Sequence, residues 1–129
     1  LHIKSAEQAM MAAKTEALRG FGLTVAQYAA MLSLYYVPEQ SSAQLARAAA
    51  VTPQTMATVI AKLEQKRLVT RHPSSDHAKV LIASLTTEGE ALLLRADEAA
   101  RRITAKERQQ LTEMLGRVTS LLRDNLIAE

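Results

Sequence analysis

Residues 41–69 read SSAQLARAAAVTPQTMATVIAKLEQKRLV, and the folding of this stretch decides the architecture of the chain. Ser41, with Gln44 three residues on, is a capping-box signal, so a short helix is predicted through AQLARAAAV. Thr52 followed by Pro53 marks a second helix start: a side-chain oxygen to cap the free amides, then a residue already fixed at helical φ. In QTMATVIAKLEQK, Met56, Val59, Ile60 and Leu63 fall on one face, and Gln54, Thr55, Thr58, Lys62 and Gln65 on the other. Two short helices joined by the turn AAVT, the second with one apolar and one hydrogen-bonding face, predict a helix-turn-helix. Reading a major groove requires that division of labour, an anchored face and a face of donors and acceptors.

Working outward, LVTR and KVLIASL are short β-branched runs on either side of the polar tip HPSSDHA. They predict a two-stranded hairpin, which makes the unit a winged helix. Upstream, Ile3, Ala6, Met10, Ala13 and Ala17 form a narrow helical seam that ends at Gly20. GFGL breaks the chain, and Thr24 with Gln27 opens a helix through VAQYAAMLSLYYV. That helix is expected to stop before Pro38, which disfavours helical geometry at Val37. Downstream, Thr86 or Thr87 caps a helix through about Arg102. Thr104 with Glu107 predicts the start of another, striped by Leu111, Leu115, Val118, Leu122 and Leu126. The expected fold is mainly α with a small β-hairpin wing, in one domain spanning 1–129. Within it, 24–85 form the winged helix-turn-helix lobe, 86–103 a connecting helix, and 1–20 and 104–129 apolar-striped outer helices.

Composition narrows the function classes. The chain has 129 residues, 48% of them hydrophobic, and Phe21, Tyr28, Tyr35 and Tyr36 are its only aromatics, so the core must be largely aliphatic. Without cysteine there is no disulfide and no thiol redox sensor, which fits a cytoplasmic protein. No signal-peptide pattern and no apolar run of about 18 residues is present, so no membrane association is expected. The chain opens at Leu1 rather than Met, and a preceding native segment is expected. Residues 41–86 carry six cations against two anions, whereas the flanking thirds are neutral and slightly acidic, which points to a polyanionic partner for the middle third. His2, His72 and His77 do not form a ligand set with metal-site spacing, and no phosphate loop, HExxH or nucleophile motif occurs. Neither catalysis nor a cofactor or metal is expected.

The segments LTVAQYAAML, SSAQLARAAAVTPQTMATVIAKLEQKRLV, Arg-x-Pro at 71–73 and LTTEG at 85–89, in this order, resemble the MarR family of bacterial transcriptional regulators. The resemblance implies a homodimer whose first and last helices form a dimerisation layer above two DNA-binding lobes. It also implies a repressor on a pseudo-palindromic operator, with half-sites about 10 base pairs apart. Base contacts are expected from Gln54, Thr55, Thr58 and Lys62, and backbone contacts from Ser42, Arg47, Lys66, Arg67, Arg71 and Lys79. Many members respond to small aromatic or phenolic anions bound between dimer layer and lobe. Arg19, Phe21, Tyr28, Tyr35 and Tyr36 are the candidate lining residues here, while Tyr28 and Tyr35 also suit a core face. The chain departs from the family pattern at Arg67, where glycine is usual, at Thr58, where arginine is frequent, and in the wing. There His77 takes the place of an aspartate and Lys79 that of an arginine. These thinned arginines keep a second reading open, a winged-helix module that binds protein instead of DNA.

Overall fold

The computed structural model describes residues 2–128; the side chains of residues 1–7, 10, 111 and 126–129 lie outside the description. Five helices and three strands follow one another: α1 (His2–Gly20), α2 (Val25–Tyr36), β1 (Gln40–Ser41), α3 (Ser42–Ala49), α4 (Pro53–Gln65), β2 (Val69–Pro73), β3 (Leu81–Leu85) and α5 (Thr87–Ala128).

Local chemistry accounts for most of these boundaries. The Thr24–Gln27 and Ser41–Gln44 capping boxes both form, each side chain accepting or returning a bond to the other residue's backbone. Thr52 accepts from the Thr55 amide at 3.1 Å, and Pro53 occupies the first turn of α4. α1 runs through Gly20, and the left-handed turn falls two residues later, at Gly22 (φ 72°), where Leu23 donates back to the Leu18 carbonyl. α2 ends at Val37, whose extended backbone suits the residue before a proline.

Two expectations require correction. The wing is a three-stranded antiparallel sheet in the order β1-β3-β2, not a lone hairpin. Gln40 and Ser41 add the third strand by pairing with Ala83 and Ile82. A hairpin alone is marginal in water, and a third strand tied to the helices steadies it. Pro73 is accommodated at the end of β2 because β2 is an edge strand, where a missing amide donor costs little. The second correction concerns Thr104 and Glu107, which start no helix. α5 is one unbroken helix of 42 residues, about 60 Å long. The Thr104 hydroxyl donates within the helix to the Ala100 carbonyl at 3.1 Å, so 86–103 and 104–129 are segments of a single element.

The core gathers Leu18, Leu23, Met31, Leu34, Leu45, Ile60, Leu63, Val69 and Leu93 between α2, α3, α4, the sheet and the first half of α5. α1 lies along α5. Gly89 allows the N-terminus of α5 to meet the sheet, because a Cβ there would run into the Leu68 carbonyl. The Thr86 hydroxyl reinforces this junction, accepting from the Gly89 amide at 2.9 Å and donating to the Arg67 carbonyl at 2.8 Å.

Candidate nucleic-acid interface

The recognition element is α4, held by Met56, Ile60 and Leu63, which are 3%, 0% and 0% exposed. Its opposite face presents Gln54, Thr55, Thr58 and Lys62, all exposed. Their hydroxyls are partly committed: Thr58 donates to the Gln54 carbonyl at 3.2 Å, and Thr55 pairs with the Thr52 hydroxyl at 2.8 Å. Each oxygen keeps acceptor capacity, and each methyl remains available for contact with thymine. α3 crosses behind α4, with Arg47 exposed and Ser42 half-buried at its first turn. Between them Ala50 takes the left-handed conformation (φ 55°) that closes α3 and sets the turn.

The six cations expected on phosphate or bases divide into two groups. Arg47, Lys62, Arg67 and Lys79 are exposed and make no ion pair among the described residues. Lys66 and Arg71 are engaged within the fold. The Lys66 ammonium donates to the Gly22 carbonyl and, at 3.2 Å, to Oε1 of Gln27, tying the end of α4 to the turn between α1 and α2. Arg71 reaches back from β2 to Glu64 on α4 at 3.0 Å, bracing wing against recognition helix. Sequence reasoning missed both tasks, since their partners lie 44 and 7 residues away on other elements. Arg67 keeps the left-handed backbone (φ 60°) that glycine would occupy without strain, at a cost of about 1 kcal/mol. Lys79 stands on the loop between β2 and β3, which is closed by Ser74 donating to the Val80 carbonyl at 2.8 Å.

A groove of about 270 Å³ opens between α1, α2 and α5. Met11, Leu18, Val25, Leu32 and Ala100 make it apolar, and Lys14, Tyr28, Arg101 and Thr104 supply polar groups. Of the five residues expected to line an effector pocket, Tyr28 alone is in it. Arg19 lines a neighbouring depression and pairs with Glu16 at 3.0 Å. Phe21 packs against the core. Tyr35 and Tyr36 stack edge to face, ring centres 5.4 Å apart, on the exposed end of α2. Lys14 and Arg101 gave no sequence signal beyond a charge on a helix, because the groove exists only once three distant segments meet.

Tyr28 is fixed from across the groove. Its hydroxyl donates to Oδ1 of Asp97, and Arg101 pairs with Oδ2 of the same carboxylate at 2.9 Å. Burial, then the Asp97 hydrogen bond and charge, push the Tyr28 pKa up to about 12, so the phenol stays protonated at neutral pH. Among the described residues no group of three His, Cys, Asp or Glu side chains converges as metal ligands, and no helix is long and apolar enough to cross a membrane.

An anchored recognition helix with a hydrogen-bonding face, a supporting helix and turn, and a cationic wing on a three-stranded sheet define a winged helix-turn-helix DNA-binding protein. Comparison with known proteins gives the family. Residues 21–79 match the family model described as MarR family. The HTH-type transcriptional repressor Rv2887 of Mycobacterium tuberculosis is 38% identical over 112 residues, 81% of each chain. The crystal structure of Rv2887 in complex with p-aminosalicylic acid superposes with a TM-score of 0.70 at 34% identity, covering 96% of this chain and 94% of that one. MepR of Staphylococcus aureus bound to an oligodeoxyribonucleotide shares the fold, with a TM-score of 0.71 at 21% identity over 95% and 94% of the two chains. The chain belongs to the MarR family of transcriptional regulators.

Proposed function

We propose that this regulator is a ligand-responsive repressor that binds a pseudo-palindromic operator as a homodimer. The observation that carries the DNA-reading part is the polar face of α4, exposed along its length while Met56, Ile60 and Leu63 on the opposite face are buried. Gln54, Thr55, Thr58 and Lys62 are the base-contacting set. Ser42, Arg47, Arg67 and Lys79 are the phosphate-contacting set, and Lys66 and Arg71 are assigned to holding the lobe's geometry. With threonines in place of arginine, the recognition helix favours adenine and thymine contacts over two-pronged recognition of guanine.

Dimerisation is supported by the far half of α5. Met114, Leu115, Val118, Leu121 and Leu122 are 51%, 59%, 47%, 65% and 60% exposed, an apolar face that water does not favour and a second copy would cover. Ligand response is supported by the groove, an apolar slot with two cations, and by Rv2887, which has been crystallised with salicylic acid and with p-aminosalicylic acid. A small aromatic carboxylate fits such a slot in size and charge. A regulator of this kind acts in the cytoplasm and carries out no catalysis.

Selection of bound duplexes from a random-sequence pool tests the reading. An inverted repeat should emerge, and Gln54→Ala and Thr55→Ala should each relax one position by about 1–3 kcal/mol. If no salt-dependent binding to any duplex is found at about 50 mM salt, the DNA reading is wrong and the protein-binding alternative gains.

A further inference from the structure

The Asp97 carboxylate sits where it can do what an effector's carboxylate would do. It lies on α5, 17% exposed, beside the groove, and its two oxygens are divided between partners that themselves line the groove. Oδ1 accepts from Tyr28 on α2, and Oδ2 is paired with Nε of Arg101 at 2.9 Å. Arg101 is one turn along the same helix, lines the groove, and has its side chain 71% exposed. The other cation of the groove, Lys14, comes from α1 and has no ion-pair partner among the described residues. Among the described residues, an arriving anion therefore finds one cation without an ion-pair partner and one already held.

We propose that Asp97 is a built-in competitor for Arg101, so that an anionic effector binds by drawing the guanidinium from an internal carboxylate to its own. This rests on the effector reading above and adds how the site is regulated. The exchange makes and breaks only ion pairs: Arg101 leaves Oδ2 of Asp97 for the ligand carboxylate, while Tyr28 retains Oδ1. Three consequences follow. Effector affinity is held down by the pair that must be given up, and the site is selective for anions over neutral molecules of the same shape. Ligand occupancy also strips the ion pair from the carboxylate that accepts the Tyr28 hydroxyl, the hydrogen bond that ties α2 to α5.

Calorimetric titration of salicylate and of its neutral amide into wild type, Asp97→Asn, Arg101→Gln and the double variant tests the exchange. Asparagine keeps an acceptor for Tyr28 while releasing Arg101, and Arg101 is exposed enough to replace without loss of fold. Melting curves verify this for all four proteins. Asp97→Asn should bind salicylate about threefold more tightly, the size of a partly exposed ion pair. Arg101→Gln should bind it about tenfold more weakly, as expected for a lost hydrogen bond to a charged group. The gain from Asp97→Asn should vanish when Arg101 is already glutamine, and the amide should bind all four proteins alike. A gain of equal size in both backgrounds would mean that Asp97 acts only through its field, and would overturn the exchange. Salicylate binding that ignores both substitutions would overturn it too, while leaving the effector reading intact. Absence of binding by both compounds to all four proteins would end the effector reading and this inference together.

Discussion

The recognition helix α4 and the far half of α5 carry the same kind of pattern, aliphatic side chains at spacings of three and four on a helix, yet they meet opposite environments. In α4 the stripe Met56, Ile60 and Leu63 is at most 3% exposed. In α5 the stripe Leu115, Val118 and Leu122 is between 47% and 60% exposed. The first stripe is completed by its own chain, because α2, α3 and the sheet close around it within the lobe. The second leaves the lobe altogether: past about residue 104, α5 extends beyond what one chain can cover. A stripe shows that something covers it, and only the fold shows whether the cover lies in the same chain.

Substitutions can break or sharpen this comparison. The largest effect is expected from placing charge on the exposed stripe. Leu115→Glu combined with Leu122→Glu should abolish self-association in sedimentation, and operator affinity with it, while the lobe still melts cooperatively. Melting as a dimer would show that this stripe is not the covered face. On the buried stripe, Ile60→Ala should leave association intact and cost about 2–5 kcal/mol of stability, measured by denaturant unfolding.

A finer division appears between the two glycines of α5. Gly89→Ala should destabilise by about 1–3 kcal/mol, since its Cβ would be driven into the Leu68 carbonyl. Gly116→Ala meets no atom within 4 Å and should stabilise the helix by about 1 kcal/mol. The smallest effect separates stability from function at one residue. Arg67→Gly should relieve the left-handed backbone and add about 1 kcal/mol of stability. It should also lower the slope of affinity against salt by about 1, if its guanidinium meets a phosphate.

The features legible in the sequence were those whose chemistry is local. Thr24 with Gln27, Ser41 with Gln44, and Thr52 with Pro53 act within one helical turn, and each cap formed where expected. The recognition face of α4 was legible for the same reason, since a period of 3.6 needs no knowledge of the rest of the chain. Long-range features were not. Gln40 carries no local signal, yet its amide donates to the Val37 carbonyl at 2.7 Å and to Ser33, closing α2 while β1 joins the sheet. At Lys66 and Arg71 only the charge was legible, not the Gly22 and Glu64 oxygens that engage them. The groove was legible only through Tyr28. Aromatic side chains drew attention, whereas Lys14 and Arg101 became site residues through the approach of α1 to α5. Thr104 misled by resembling a cap inside a helix that has enough favourable residues to continue.

The central claim is that two copies, joined through the exposed stripe, read one operator together. It is tested most directly by the stoichiometry and affinity of the wild-type protein on two duplexes, the selected inverted repeat and one of its half-sites. Two chains should occupy the full repeat, and the half-site should bind at least about a hundredfold more weakly, because the second lobe's contacts and the effective concentration of the joined partner are lost. One chain per duplex, with equal affinity for repeat and half-site, would contradict the account.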